Sequence, residues 1–190
     1  MARTGMSELI SQIRAKTDAG TADYSIAGTQ YWTDDQIQAM LDRQSTPVRI
    51  RLSEVPENQQ GTAIYRDYVW GDMEVERAGS GTAVWRVVDA GGTVSGTATY
   101  AINYDQKKIR FQQNTLPPMY LESQAFDLNA AAAQIWREKA AHYAARFDVS
   151  TDNHNLRRSQ LMAHANEMAK HYERMSAPRI VTMQRSDSYW

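Results

Sequence analysis

Cysteine is absent from all 190 residues, which excludes disulfides, thiolate nucleophiles and cysteine metal sites together. That absence does not fix a compartment, because a reducing cytosol merely tolerates it. Neither sign of charge is in excess: 21 basic residues against 22 acidic ones leave a net charge of −1. Nothing in that balance draws the whole molecule to nucleic acid or to an anionic membrane, although local patches can still do so. Long apolar runs are missing too. None reaches the roughly 18 residues of a membrane-spanning helix, and the opening MARTGMSELI lacks the apolar stretch of a signal peptide. The expectation is a soluble protein with no membrane partner, made and kept inside a cell or built into something assembled there. Motifs for common chemistry are also lacking: no GxSxG elbow, no GxxxxGK[ST] loop, no GxGxxG after a strand and no HExxH.

What is present is a globular composition, 42% hydrophobic, with a wet surface implied by a mean hydropathy of −0.61. The first helical pattern is SELISQIRAKTDAG, with Ser7 as the expected cap, Leu9, Ile10 and Ile13 as an apolar stripe and Gly20 as the stop. AGTADYSIAGTQ, which follows, reads as loop. YWTDDQIQAMLDRQ then carries a full start signal. Thr33 and Gln36 form a capping box, Trp32 and Ile37 a hydrophobic staple, and Asp34 and Asp35 sit where the helix dipole favours negative charge. The helix should end near Gln44.

From Pro47 to Glu122 the texture changes to β. VRIRLS alternates apolar and polar side chains; TAIYRDYVWGDMEVER is rich in Tyr, Val and Trp and predicts one long strand or two short ones. VWRVVD and TVSGTATYAINY predict a hairpin around Ala90 to Gly92, and YDQK turns into KIRFQQ as a second. PPMYLES predicts an edge strand, because proline cannot donate to a ladder. Trp70, Trp85, Tyr65 and Tyr100 are the expected core of this antiparallel module.

From Asp127 the pattern is helical. DLNAAAAQIWREKAAHYAARFD places Ala132, Trp136, Ala140, Tyr143 and Phe147 at helical spacing. DVSTDNHN is a short polar connection. LRRSQLMAHANEMAKHYERM then sets Leu161, Ala165, Met168, Tyr172 and Met175 in a seven-residue repeat, so the two helices should form an antiparallel hairpin. The closing SAPRIVTMQRSDSYW has no period but several apolar residues, as a tail that finds a partner surface would. The fold class is therefore α+β: N-terminal helices over 1–46, an inserted antiparallel β module over 47–122, a helical hairpin over 123–175 and an extended tail over 176–190.

Candidate chemistry is thin. His142, His154, His164 and His171 cluster in the C-terminal part, but His164 and His171 are seven apart rather than four, so surface or interface histidine is the simpler reading. Glu74 and Glu76 share one face of a predicted strand. A glycosidase uses such a carboxylate pair, although solvated strand charges are far more common; Asp67 and Asp72 fall in the same module. Arg157 and Arg158 open the last helix at the end its dipole disfavours for cations, which admits contact with a partner's acids or a DNA backbone beside plain solvent exposure. No cofactor, metal or catalytic residue is assigned.

In order along the chain, YWTDDQIQAMLD, FDLNAAAAQIWREKAAHYAARFDVSTD, LRRSQLMAHANEMAKHYERM and the late QRSD resemble the head–tail adaptor, or connector, proteins of long-tailed bacteriophages. The helical resemblance covers roughly half the chain, and the β module resembles the inserted domain of a subset. The resemblance implies a homo-oligomeric ring of about twelve copies in the virion neck, made in the host cytoplasm and docked on the portal protein. Such a ring extends the channel through which double-stranded DNA passes without sequence reading, and it receives stopper or tail-completion proteins. It also implies a portal-inserting tail, carried here to Arg179, Ile180, Val181, Met183, Arg185, Tyr189 and Trp190. Subunit packing falls to Ala131, Ala132, Trp136, Tyr143, Leu161, Met168 and Tyr172, and partner or DNA-backbone contact to Arg157 and Arg158. The competing readings are another neck component, a small carbohydrate-acting hydrolase using Glu74 or Glu76, and a DNA-binding regulator.

Overall fold

The structure, a computed structural model, describes residues 1–20, 25–26, 29–78, 85–144, 149–151, 154–156 and 158–176. Along α1 (Ser7–Thr17), Leu9, Ile10 and Ile13 are buried as their spacing predicts. Its ends differ from expectation. A 3-10 turn over Thr4–Met6 runs straight into the helix, so Ser7 lies inside it and no side chain caps its start. Asp18, not Gly20, ends it, in the left-handed region at φ 49°. Aspartate is one of the few residues that visits this region readily. Two short strands, β1 (Ser25–Ile26) and β2 (Thr29–Gln30), pair where the sequence reads as loop.

Helix α2 (Asp34–Arg43) starts with the expected capping box. Thr33 Oγ1 accepts from the Gln36 N–H at 3.4 Å, and Gln36 Oε1 accepts from the Thr33 N–H at 3.0 Å. Trp32 and Ile37 are both buried in one cluster, as a staple requires. Asp34 holds Arg14 at 2.6 Å, and Asp35 holds the N-terminal amine at 3.0 Å.

Among the described residues, seven antiparallel strands follow in two sheets. One has the order β3-β9-β6, built from Ser45–Arg51, Met119–Phe126 and Trp85–Asp89. The other has the order β4-β5-β8-β7, built from Ser53–Gln59, Thr62–Val69, Lys108–Phe111 and Tyr100–Asn103. Val87, Met119 and Leu121 of the first sheet share a core with Tyr68, Ile109 and Phe111 of the second. Trp70 and Tyr100 are buried in that core and Tyr65 and Trp85 pack against it, as expected.

Three expectations fail here. The PPMYLES strand is not an edge: β9 is the centre of its sheet. The reason is that Pro117 and Pro118 precede its first residue, Met119, so neither removes a ladder donor. The hairpin around Ala90 to Gly92 keeps its turn but not its second strand. Asp89 N–H donates to Thr93 O and Ser95 N–H to Val87 O, after which the chain crosses to the other sheet and β7 pairs with β8. Glu74 and Glu76 do not lie in a strand of their own. Val75 makes an isolated bridge to Ala125, and the two glutamates flank it.

The module leaves and rejoins the helical part at one place. Ser45 pairs with Phe126, and Asp127 N–H donates to Gln44 O at 3.2 Å. Asp127 then caps α3 (Leu128–Ala144), accepting the Ala130 N–H at 2.9 Å. A second small hairpin, β10 (Val149–Thr151) with β11 (His154–Leu156), occupies the predicted polar connection. Helix α4 (Arg158–Met175) returns antiparallel to α3, so that Asn129 Nδ2 donates to Met175 O.

Candidate functional site

The alanine run gives α3 two packing faces at once. Ala131, Ala132 and Ile135 are fully buried against Leu9, Ile13, Ile37 and Leu41. Trp136 and Ala140 pack against Ala165 and Ala169 of α4, with Tyr143, Met162, Met168 and Tyr172 half-buried around them. Methyl side chains let the helix backbones approach, and Trp136 supplies the burial that alanine cannot. Ala131, Ala132 and Trp136 are thus consumed inside the chain's own core, while Tyr143, Met168 and Tyr172 line the hairpin.

The seven-residue repeat is corrected at its ends. Leu161 and Met175 are 45% and 49% exposed, and burial runs along Met162, Ala165, Ala169 and Tyr172 instead. Leu161 lies in the first turn of α4. Met175 lies in the last, well round the helix from Ala169, the fully packed position nearest it.

One side chain here carries a role that sequence reasoning missed. Lys139 is 2% exposed, donates from Nζ to Thr17 O at 2.6 Å and lies 4.8 Å from the centre of the Trp136 ring. Trp136 Nε1 donates to Lys16 O at 3.1 Å. Two residues of α3 therefore satisfy the last carbonyls of α1, and the cation sits at the negative end of its dipole. The available signal was a lysine in phase with an otherwise small, apolar face.

A second constellation joins the helices to the β module. Arg3 donates to Asp42 of α2 at 2.7 and 3.0 Å and to Glu76 at 2.9 and 3.1 Å, and its backbone N–H donates to Gln38 Oε1. The Glu76 side chain is only 2% exposed. Hydrogen bonds to Asp42 first, and to Glu76 second, hold the Arg3 guanidinium above its ordinary pKa. Beside it, Arg77 N–H donates to Gly5 O at 3.2 Å. A Cβ on Gly5 would meet Arg77 O at 2.1 Å, so only glycine permits this approach.

A cavity of about 180 Å³ lies next to this junction, lined by Glu8, Gln12, Trp70, Glu74, Arg77 and Tyr104, among others. Its charges are already engaged: Lys107 with Glu74 at 3.0 Å, and Arg77 with Asp105 at 3.3 Å and Glu8 at 4.0 Å. A glycosidase needs two carboxylates flanking one sugar-sized cleft. Glu74 lines this cavity, but Glu76 is buried under Arg3. Asp67 is held by Lys108 at 2.7 Å and Arg110 at 3.6 Å, and Asp72 stands in an exposed turn.

Among the described side chains the histidines are not brought together. His142, His164 and His171 each meet an aromatic ring, Tyr143, Trp136 and Tyr172 respectively. Among the described residues no group of three or more potential ligands could hold a metal ion. Arg157, Phe147 and the whole set Arg179, Ile180, Val181, Met183, Arg185, Tyr189 and Trp190 lie outside the described residues. Arg158 is the first residue of α4, and its side chain lies outside them also. No family model, no curated protein and no solved structure matches this chain.

Proposed function

We propose that the chain is a structural head–tail adaptor of a long-tailed bacteriophage, with no enzymatic activity. The observation that carries this reading is the convergence of the resembling segments. α2 holds the first signature and α3 the second, and they pack on one core through Ile37, Leu41, Ala131 and Ile135, although residues 45–126 intervene. A sheet module whose ends lie side by side, Ser45 against Phe126, suits insertion into such a helical unit. Stopper-type neck parts are mostly β and lack a long helical hairpin, so they fit less well. A hydrolase fits less well because Glu74 and Glu76 are each engaged by a cation in separate surroundings.

On this reading about twelve copies form a ring on the portal, extend the DNA channel and receive the stopper or tail-completion protein. The closing apolar segment makes the contact with the portal surface. The test is docking of purified protein on portal particles, seen by electron microscopy, for the full chain and for a chain ending at Met175. Rings from the full chain, and their loss on truncation, are expected. Equal docking by both would remove the tail from the interface.

A further inference from the structure

The first sheet turns one face to the sheet core, and its other face is open along Arg49, Arg51 and Arg86. Antiparallel register sets Arg49 and Arg86 on either side of Glu122, with Arg51 two residues along, opposite Tyr120. With a period of two, all five project to the same side. Contacts agree: Arg49 Nε lies 3.8 Å from the Glu122 carboxylate, and its guanidinium lies 4.6 Å from the centre of the Tyr120 ring. Leu121 and Val87, which alternate with these residues, are buried in the sheet core; on the arginine side itself, Val88 opposite Tyr120 and Phe126 at the helical end are buried as well.

Arg49, Arg51 and Arg86 are exposed. Among the described residues, Arg51 and Arg86 have no ion-pair partner. Glu122, paired with Arg49, is thus the one carboxylate among these five residues, against three guanidiniums, on a chain whose net charge is −1. All three are arginine, whose planar fork fits a phosphate's paired oxygens. Neighbouring strands lie about 5 Å apart, so Arg49 and Arg86 stand about 10 Å apart across β9. Arg49 covers one face of the half-buried Tyr120 ring, which favours contact with a backbone over base stacking.

We propose that this outward face, through Arg49, Arg51 and Arg86, contacts the phosphate backbone of double-stranded DNA without reading its sequence. The face rests on the geometry, while the choice of duplex DNA over an acidic protein rests on the adaptor reading. A few phosphate contacts per copy bind weakly, and a ring multiplies them. Backbone contacts suit a channel through which DNA must slide.

The experiment is fluorescence anisotropy of a labelled random-sequence duplex with the full chain, over roughly 50 to 200 mM salt. Three neutralised phosphates predict a log–log salt slope of about −2.7, or a loss of about 40-fold across that range. R49A/R51A/R86A should weaken binding and flatten the slope towards zero, R51A/R86A should remove about two units of slope, and R174A on α4 should change nothing. Unchanged affinity and slope in both arginine variants would overturn the proposal, as would absence of duplex binding by the native chain at low salt. Polyglutamate binding more tightly than the duplex at equal charge concentration would assign the face to an acidic protein and overturn it too. Portal docking by the same variants is read separately: DNA binding without docking sinks the adaptor reading, and docking without DNA binding sinks this inference.

Discussion

Arg3 is the residue on which the junction of helices and sheets depends. It bridges Asp42 of α2 and the buried Glu76. Removing one partner of such a pair leaves an uncompensated buried charge, whereas removing both leaves none. Arg3→Met should therefore cost about 3 kcal/mol, and adding Glu76→Gln should recover part of it. Urea unfolding of the two variants tests this; equal stability of Arg3→Met and the native chain would contradict it. Tyr68 offers a pH test. Burial pushes its phenol from near 10 up to about 12, and Tyr100 and Tyr104 are raised by the same cause. A raised folded pKa means that the folded state holds the proton longer than the unfolded chain does. Its stabilisation is complete below pH 10 and is lost as pH rises through about 12. Denaturation midpoints should fall over that window, and Tyr68→Phe should fall less steeply. Some of this scale was legible in the sequence: the Thr33–Gln36 box and the Trp32 staple needed only local spacing. The Arg3–Glu76 pair was not, because 73 positions separate its members and nothing local marks either.

At the scale of elements, α3 is buried by α1 and α2 on one side and by α4 on another. Ala132 is fully buried, so Ala132→Leu should cost about 1 to 3 kcal/mol through overpacking. Leu161→Ser on exposed α4 surface should change the stability of the isolated chain by under about 0.5 kcal/mol. Thermal melts of both variants check the contrast; a larger loss from Leu161→Ser would restore the expected seven-residue stripe. Leu121 tests the sheet. In a central strand at 0% exposure, Leu121→Ala should cost about 2 to 5 kcal/mol. Helix existence was legible because 3.6-residue periodicity is a local property. Strand order was not. The prolines of PPMYLES pointed to an edge, but a proline pair one residue before a strand leaves the ladder intact, and pairing with distant β3 and β6 made β9 central. Arg49 and Arg51 were legible as neighbours on one face of VRIRLS. Arg86 joined them only through that non-sequential order.

At the scale of the molecule, two cores meet at one junction. The helical core gathers segments from both ends of the described chain, and the sheet module is an excursion that begins and ends at Ser45 and Phe126. Such a plan lets the helical unit keep one architecture while the module carries separate contacts. The apolar tail over 177–190 lies outside the described residues, and its portal role is what the resemblance implies. The measurement that bears most directly on the adaptor reading is electron microscopy of the full chain mixed with portal particles assembled from the portal protein of the same genome. Closed rings of this chain seated on the portal, extending its channel, are the predicted result. A chain that leaves portal particles bare at saturating concentration, or a genome that encodes no portal protein, would contradict it.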